Sequence, residues 1–239
     1  MDQSPRKIDL RRARREEETN APNKLAACMV TLLDPTSAAS EAYRTLRTNL
    51  IYTFVDEPPK VIVLTSPGPG EGKSTVCANL GVVLAQADKN TLIIDCDFRN
   101  PAIHKFFGLR NLYGLVDVLA GVCSLQEALQ EPVEGVKVVT VGHLPPNPAE
   151  LLGTGRFSEF LVSVRQQFDY ILVDSPPAGL VSDPAILAAQ GDGVLLVLDA
   201  QKTRKGSVRQ AMRDLQAVRA KVLGTVINNV KYSQQAGSY

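Results

Sequence analysis

Residues 61–75 read Val-Ile-Val-Leu-Thr-Ser-Pro-Gly-Pro-Gly-Glu-Gly-Lys-Ser-Thr. A short apolar run turns directly into a Gly/Pro-rich segment that ends Gly72-Lys73-Ser74-Thr75. This is the layout of a phosphate-binding loop that joins a strand to a helix. Gly68, Gly70 and Gly72 let the backbone wrap closely, so successive N–H groups can face phosphate oxygens. The following helix points its positive dipole end at the same place. Lys73 can reach the β- and γ-phosphates, and the Ser74 hydroxyl can bind Mg²⁺. Pro67 stands where the pattern G-x-x-x-x-G-K-[ST] has its first Gly. Taken alone, the segment could be a turn before a helix, so the rest of the chain must decide.

Apolar strands alternate with amphipathic helices on either side of this loop. The pattern predicts strands at Val61 to Thr65, Thr91 to Asp95, Val136 to Val141, Tyr170 to Asp174, Val194 to Leu198 and Val222 to Asn228. It predicts helices at Ser40 to Phe54, Lys73 to Ala87, Thr154 to Gln167 and Lys205 to Ala220, with short helical pieces between Pro101 and Leu129. The expected fold is α/β, a parallel sheet covered by helices on both faces. Right-handed crossovers would line the C-terminal strand ends along one edge, where ligands bind. Residues 1–37 lack a sustained period and are expected to form an extended polar arm. The domain then covers 38–230, and 231–239 is a tail carrying Tyr232 and Tyr239.

Two more strands end in carboxylates at the same edge. One reads Leu92-Ile93-Ile94-Asp95-Cys96-Asp97-Phe98-Arg99, the other Tyr170-Ile171-Leu172-Val173-Asp174-Ser175-Pro176-Pro177. A carboxylate after several apolar residues is costly to bury without a partner. Asp95 and Asp97, two apart, share one side of an extended backbone. They repel unless a cation lies between or beside them. Bound Mg²⁺, water and Arg99 would resolve that conflict.

The combined motifs resemble the cytoplasmic bacterial tyrosine kinases of capsular and exopolysaccharide biosynthesis, the CpsD/CapB family, over about residues 36–230. Ser66–Thr75, Asp95-x-Asp97-x-Arg99 and Ile171–Pro177 are similar to the Walker A, A′ and B motifs of that P-loop NTPase family. Its altered first loop Gly matches Pro67. Pro145-Pro146-Asn147-Pro148-Ala149-Glu150-Leu151-Leu152 looks like a family landmark, and Glu41-x-x-Arg44-x-x-Arg47 is similar to the subunit-contact motif. Partitioning-type ATPases of the wider class carry an extra Lys where this chain has Gly68.

The resemblance implies an ATP- and Mg²⁺-dependent protein-tyrosine kinase. Gly68, Gly70, Glu71, Gly72, Lys73, Ser74, Thr75, Arg99 and Asn228 would bind the nucleotide. Lys73 and Asp95 would be catalytic, with Asp95 taking the tyrosine proton. Ser74, Asp97 and Asp174 would hold the metal. Glu41, Arg44 and Arg47 would join subunits into a ring. A membrane-embedded polysaccharide co-polymerase-type adaptor would recruit the chain to the inner face of the membrane. The family's tail carries a dense tyrosine cluster, whereas this chain offers only Tyr232 and Tyr239 as phosphorylation sites. That leaves a second reading, a non-catalytic ATP-dependent oligomerisation switch of the same pathway. A third is a small-molecule ligase or partitioning ATPase.

The remaining residues suggest no other chemistry. The net charge of +1 offers no global field for nucleic acid. Arg6, Lys7, Arg11, Arg12, Arg14 and Arg15, followed by Glu16, Glu17 and Glu18, read as a solvated tail, with a weak membrane-surface or partner contact as the alternative. Cys28, Cys77, Cys96 and Cys123 form no C-x-x-C pair, which argues against zinc and fits a reducing compartment. No apolar stretch has the length of a membrane helix, and the expected location is cytoplasmic. His104 and His143 read as structural and loop residues, and Tyr43, Tyr52, Tyr113 and Tyr170 as core.

Overall fold

The computed structural model describes residues 24–54 and 58–231. The Arg/Glu cluster of residues 6–18, Tyr232 and Tyr239 lie outside the described residues.

The strands are β1 Val61–Thr65, β2 Thr91–Asp95, β3 Leu129–Val133, β4 Val136–Val139, β5 Tyr170–Asp174, β6 Gly193–Asp199 and β7 Val222–Asn228. They form one sheet in the order β3-β4-β2-β5-β1-β6-β7. Every neighbouring pair is parallel except β3 with β4. The helices are α1 Val30–Leu33, α2 Ala38–Thr53, α3 Lys73–Ala85, α4 Ile103–Phe106, α5 Leu115–Ala120, α6 Leu125–Ala128, α7 Pro148–Leu152, α8 Gly155–Arg165, α9 Asp183–Gln190 and α10 Lys205–Ala217.

Two apolar layers hold the sheet. On one face, α3 packs Val76, Leu80 and Val83 against Ile62, Leu64, Ile93 and Leu172. On the other, Leu115 of α5, Phe157 and Leu161 of α8, Leu187 of α9 and Leu215 of α10 cover Val63, Ile94, Val173 and Leu196. The central strands are buried along their whole length, which is why they read as continuous apolar runs rather than alternating ones. A Cβ on Gly81 would sit 2.6 Å from Ile93 Cδ1, so this glycine lets α3 lie close on β2.

The expected strands are present, and α3 and α10 end slightly earlier than their patterns suggested. Three differences have physical causes. Residues 24–37 are not extended: Ala26–Cys28 forms a 3₁₀ turn and α1 follows. Met29 is buried there, Thr31 donates to Asn79 Oδ1 from its amide at 3.1 Å and its hydroxyl at 2.9 Å, and Asn79 Nδ2 donates to Cys28 O at 2.9 Å. Single turns fixed by such distant polar contacts leave no period. The sequence reading missed β3, an edge strand interrupted by Pro132. Tyr43 and Tyr170 pack against the core as expected, but Tyr52 and Tyr113 are 72% and 51% exposed. Tyr52 lies in the last turns of α2, beyond its buried Leu50, and Tyr113 just before α5.

Candidate active site

The loop after β1 wraps as its glycines require. Gly70 and Gly72 have φ of +69° and +95°, and Gly72 caps α3. A Cβ on Gly72 would stand 1.9 Å from Asn228 Nδ2, and that amide donates to Glu71 O at 3.1 Å. Asn228 at the end of β7 therefore braces the loop from the side. Glu71 is an internal strut: Oε2 accepts from Gly68 N at 3.0 Å and Oε1 from Thr203 Oγ1 at 2.6 Å. Ser66 Oγ donates to Gly68 O at 2.7 Å.

The carboxylates meet beside the loop because β2 and β5 are parallel neighbours in a register that pairs Asp95 with Asp174. Lys73, from the first turn of α3, lies among them. Its Nζ is 2.7 Å from Asp97 Oδ2, 3.7 Å from Asp174 Oδ1 and 3.2 Å from Ser74 Oγ. Burial works against the Lys73 charge, but Asp174 and Asp97 outweigh it and hold the ammonium above its usual range. Burial pushes the Asp95 carboxyl up, and the Asp174 charge adds to the rise. Asp174 is raised chiefly by burial, opposed by Lys73.

The carboxylates differ in their partners. Asp95 accepts from Asp97 N, Ala102 N and Ile103 N, all at 3.1 Å, and so folds the loop into α4. Asp97 also accepts from Asn100 N at 3.0 Å. Neither buried oxygen of Asp174 makes a regular hydrogen bond. Such an orphaned carboxylate, beside a serine hydroxyl and a glycine-rich loop at a helix N-terminus, fits a hard cation carried in with a phosphate group. Among the described residues no group of three or more His, Cys, Asp or Glu forms a self-contained metal site. Mg²⁺ suits this, because it commonly takes one or two carboxylates plus substrate phosphates.

Other expected site residues fall elsewhere. Arg99 Nε donates to Asp183 Oδ2 at 3.2 Å, tying the loop after β2 to the start of α9, while half of its side chain stays exposed. Thr75 lies in the first turn of α3. Glu41, Arg44 and Arg47 lie on α2, away from the carboxylates. Arg44 pairs with Glu41 at 2.9 Å and donates to Pro35 O at 2.6 Å. Arg47 donates to Val83 O at 2.9 Å, in the last turn of α3. The sequence reading missed Thr203 and Asp183. Thr203 carries no local signal, but Ser182-Asp183-Pro184 is a helix-start pattern that could have marked α9. A cleft of about 1020 Å³ is lined by Ala85, Asn90, Glu131 and Lys137, among others. It lies at the other end of the strands and holds none of the site residues.

Residues 57–238 match the ParA family, described as NUBPL iron-transfer P-loop NTPase. Tyrosine-protein kinase YwqD of Bacillus subtilis is 38% identical over 218 residues, 91% of this chain and 92% of that protein. Putative tyrosine-protein kinase EpsB of Ralstonia solanacearum is 40% identical over 195 residues, 81% of this chain but 26% of that protein. The crystal structure of the chimerical protein CapA2B2 superposes with a TM-score of 0.83 at 32% identity, covering 86% of this chain and 91% of that one. With its ParA-type sheet, its phosphate loop and its three edge carboxylates, the chain belongs to the bacterial tyrosine-protein kinases of the CpsD/CapB/YwqD family.

Proposed function

We propose that this chain transfers the γ-phosphoryl group of Mg-ATP to protein tyrosines, its own among them, in capsule or exopolysaccharide biosynthesis. The observation that carries this reading is the cluster of Asp95, Asp97 and Asp174 around Lys73 at the mouth of the phosphate loop. When bound, Mg-ATP supplies the phosphoryl group and a metal charge that neutralises it. The backbone N–H groups of Gly70 to Thr75 would receive the phosphates, with Gly68 N held by Glu71. Lys73 would turn from Asp97 toward them, and Ser74, Asp97 and Asp174 would hold the metal. Arg99 would keep its free guanidinium nitrogens for the nucleotide while Asp183 fixes its Nε. Asn228 would keep the loop in shape beside the base.

Asp95 would accept the tyrosine proton. A tyrosine near 10 against an ordinary Asp near 4 implies a mismatch of roughly 8 kcal/mol. Burial raises Asp95, and each unit of rise removes about 1.4 kcal/mol of that mismatch. The proton still moves late, so positioning and charge neutralisation dominate the barrier.

EpsB is about four times longer than its matching segment. We propose that a membrane-embedded adaptor is the partner of this domain. No helix among the described residues is long and apolar enough to cross a membrane. Glu41, Arg44 and Arg47 are proposed as ring contacts, residues 38–230 as the catalytic domain and 231–239 as its tail.

The second reading is a non-catalytic oligomerisation switch. It is favoured by Asp95, whose two oxygens already accept three backbone N–H groups and leave about one lone pair for a proton. Incubating the full chain with labelled ATP and Mg²⁺, with and without the adaptor, separates the two. Label on tyrosine is expected; a nucleotide-dependent change in mass without label establishes the switch instead.

A further inference from the structure

The positive charge of this chain is unevenly placed. Residues 200–231 hold eight Lys/Arg and a single acid, Asp214, a local net of +7 in a chain of net +1. The other residues together are therefore net −6. All eight cations are exposed. Lys205, Arg209 and Arg213 recur at i, i+4 along α10, on the flank turned away from its buried Ala211 and Leu215. Arg204 caps that helix. Edge strand β7 adds Lys221 at its foot, beside the Phe54 ring at 5.5 Å.

Little among the described residues neutralises this flank. Asp214 accepts from Gln210 at 2.7 Å. Asp199 is 2% exposed and bound to Asn229 Nδ2 at 2.7 Å, with only Lys202 approaching it at 3.8 Å. On the neighbouring α9 the one acid, Asp183, is buried against Arg99. Asp192, before β6, is taken by Arg165.

Two exposed aliphatic side chains interrupt the charge. Ile227 and Val230 are 61% and 59% exposed. The turn after β6 abuts them, since Ala200 N donates to Asn228 O and Gln201 Nε2 to Asn229 O, both at 2.9 Å. Cations around exposed aliphatics match a lipid interface, where headgroup phosphates meet the charge and the acyl boundary takes the apolar groups. A nucleic-acid backbone would use the charge but give Ile227 and Val230 nothing.

We propose that the flank formed by α10 and β7 is a docking surface for a bilayer rich in anionic lipid. The flank adds a direct attachment to any made through a protein partner, and it does not depend on phosphotransfer. Each cation near such a surface contributes about fivefold to partitioning, and the attraction is screened by salt.

The full chain can be sedimented with phosphatidylcholine vesicles, with and without phosphatidylglycerol, over a salt series. Binding is expected only to the phosphatidylglycerol vesicles and should fade as salt rises. Arg209→Glu/Arg213→Glu should weaken it by more than about twentyfold, from about fivefold per cation lost. Its melting temperature and ATP turnover should stay unchanged, because both side chains are exposed and far from the loop. Arg110→Glu, beside β3 at the opposite sheet edge, should leave binding unchanged. Equal binding to both vesicle types, or equal losses in the two variants, overturns the proposal. So does a salt-sensitive complex with duplex DNA when no vesicles are bound.

Discussion

Lys73 stands where one charge balances several. Its ammonium is the cation nearest to Asp97 and Asp174, and the same group must serve the phosphates during transfer. Lys73→Met keeps the stem and removes the charge. Losing one preorganised electrostatic contact typically lowers turnover about 10²–10³-fold, and the rise in melting temperature on adding Mg-ATP should shrink with it. Phosphotransfer within threefold of the parent would remove the loop from the mechanism. Asp95 and Asp174 should part ways. Asp174→Asn takes charge from a carboxylate with no regular hydrogen bond, so it should weaken binding of a fluorescent ATP analogue with Mg²⁺. Asp95→Asn should spare that affinity and lower transfer, at a cost in stability because an amide N–H₂ would face backbone N–H groups. Similar large affinity losses in both variants would dissolve the division of roles.

At the level of elements, one acid ties three together. Asp192, between α9 and β6, accepts from Lys60 N and Val61 N at 2.8 Å each and pairs with both terminal nitrogens of Arg165 at 2.8 Å. Burial opposes its charge, but Arg165 and the two amides outweigh it and hold the carboxyl below its usual range. A lowered carboxyl stabilises the fold above its unfolded value near 4 and loses that effect as pH falls through the folded value. Asp192→Ala should cost about 2 kcal/mol at neutral pH, about 4–8 °C in melting temperature. The gap in melting temperature between the two proteins should narrow progressively as pH falls below about 4; a constant gap there would assign the cost to packing alone. This tie was invisible in the sequence, because its partners are far apart along the chain. The central strands were legible because burial on both faces makes each an unbroken apolar run, and the terminal Asp95 and Asp174 marked the ligand edge. Lys73 and its loop were legible for the same reason: their geometry is local. Thr203, Asp183 and the Thr31–Asn79 contact were not, because each depends on a neighbour that only the tertiary fold supplies.

For the whole molecule, the direction of β7 decides what the tail can reach. β7 runs parallel to β1, so the chain leaves Asn228 at the same edge as the phosphate loop. Lys231 is the last described residue. From β7 to β2 the sheet crosses β6, β1 and β5, four spacings and about 19 Å. Tyr232 is four residues beyond Asn228, about 13 Å of extended backbone, so its backbone falls short of Asp95 of its own subunit. Tyr239, eleven residues beyond, can cover about 36 Å when extended. In a ring, each tail would also meet a neighbour's site at high effective concentration. For Arg44 and Arg47 to form such contacts, they must exchange their present partners, Glu41, Pro35 O and Val83 O, for groups on the next subunit. Phosphate adds about −1.5 to −2 charges per tyrosine. Beside Asp95, Asp97 and Asp174 that charge would drive the tail out and loosen the ring. Mass spectrometry over a time course with ATP and adaptor should therefore find phosphate on Tyr239 before Tyr232, and light scattering should show the mass falling afterwards. Labelling of other proteins with neither tail tyrosine modified would end the self-regulation argument and leave the kinase reading intact. Tyr232 modified first would mean transfer from an adjacent subunit seated closer than the intramolecular path.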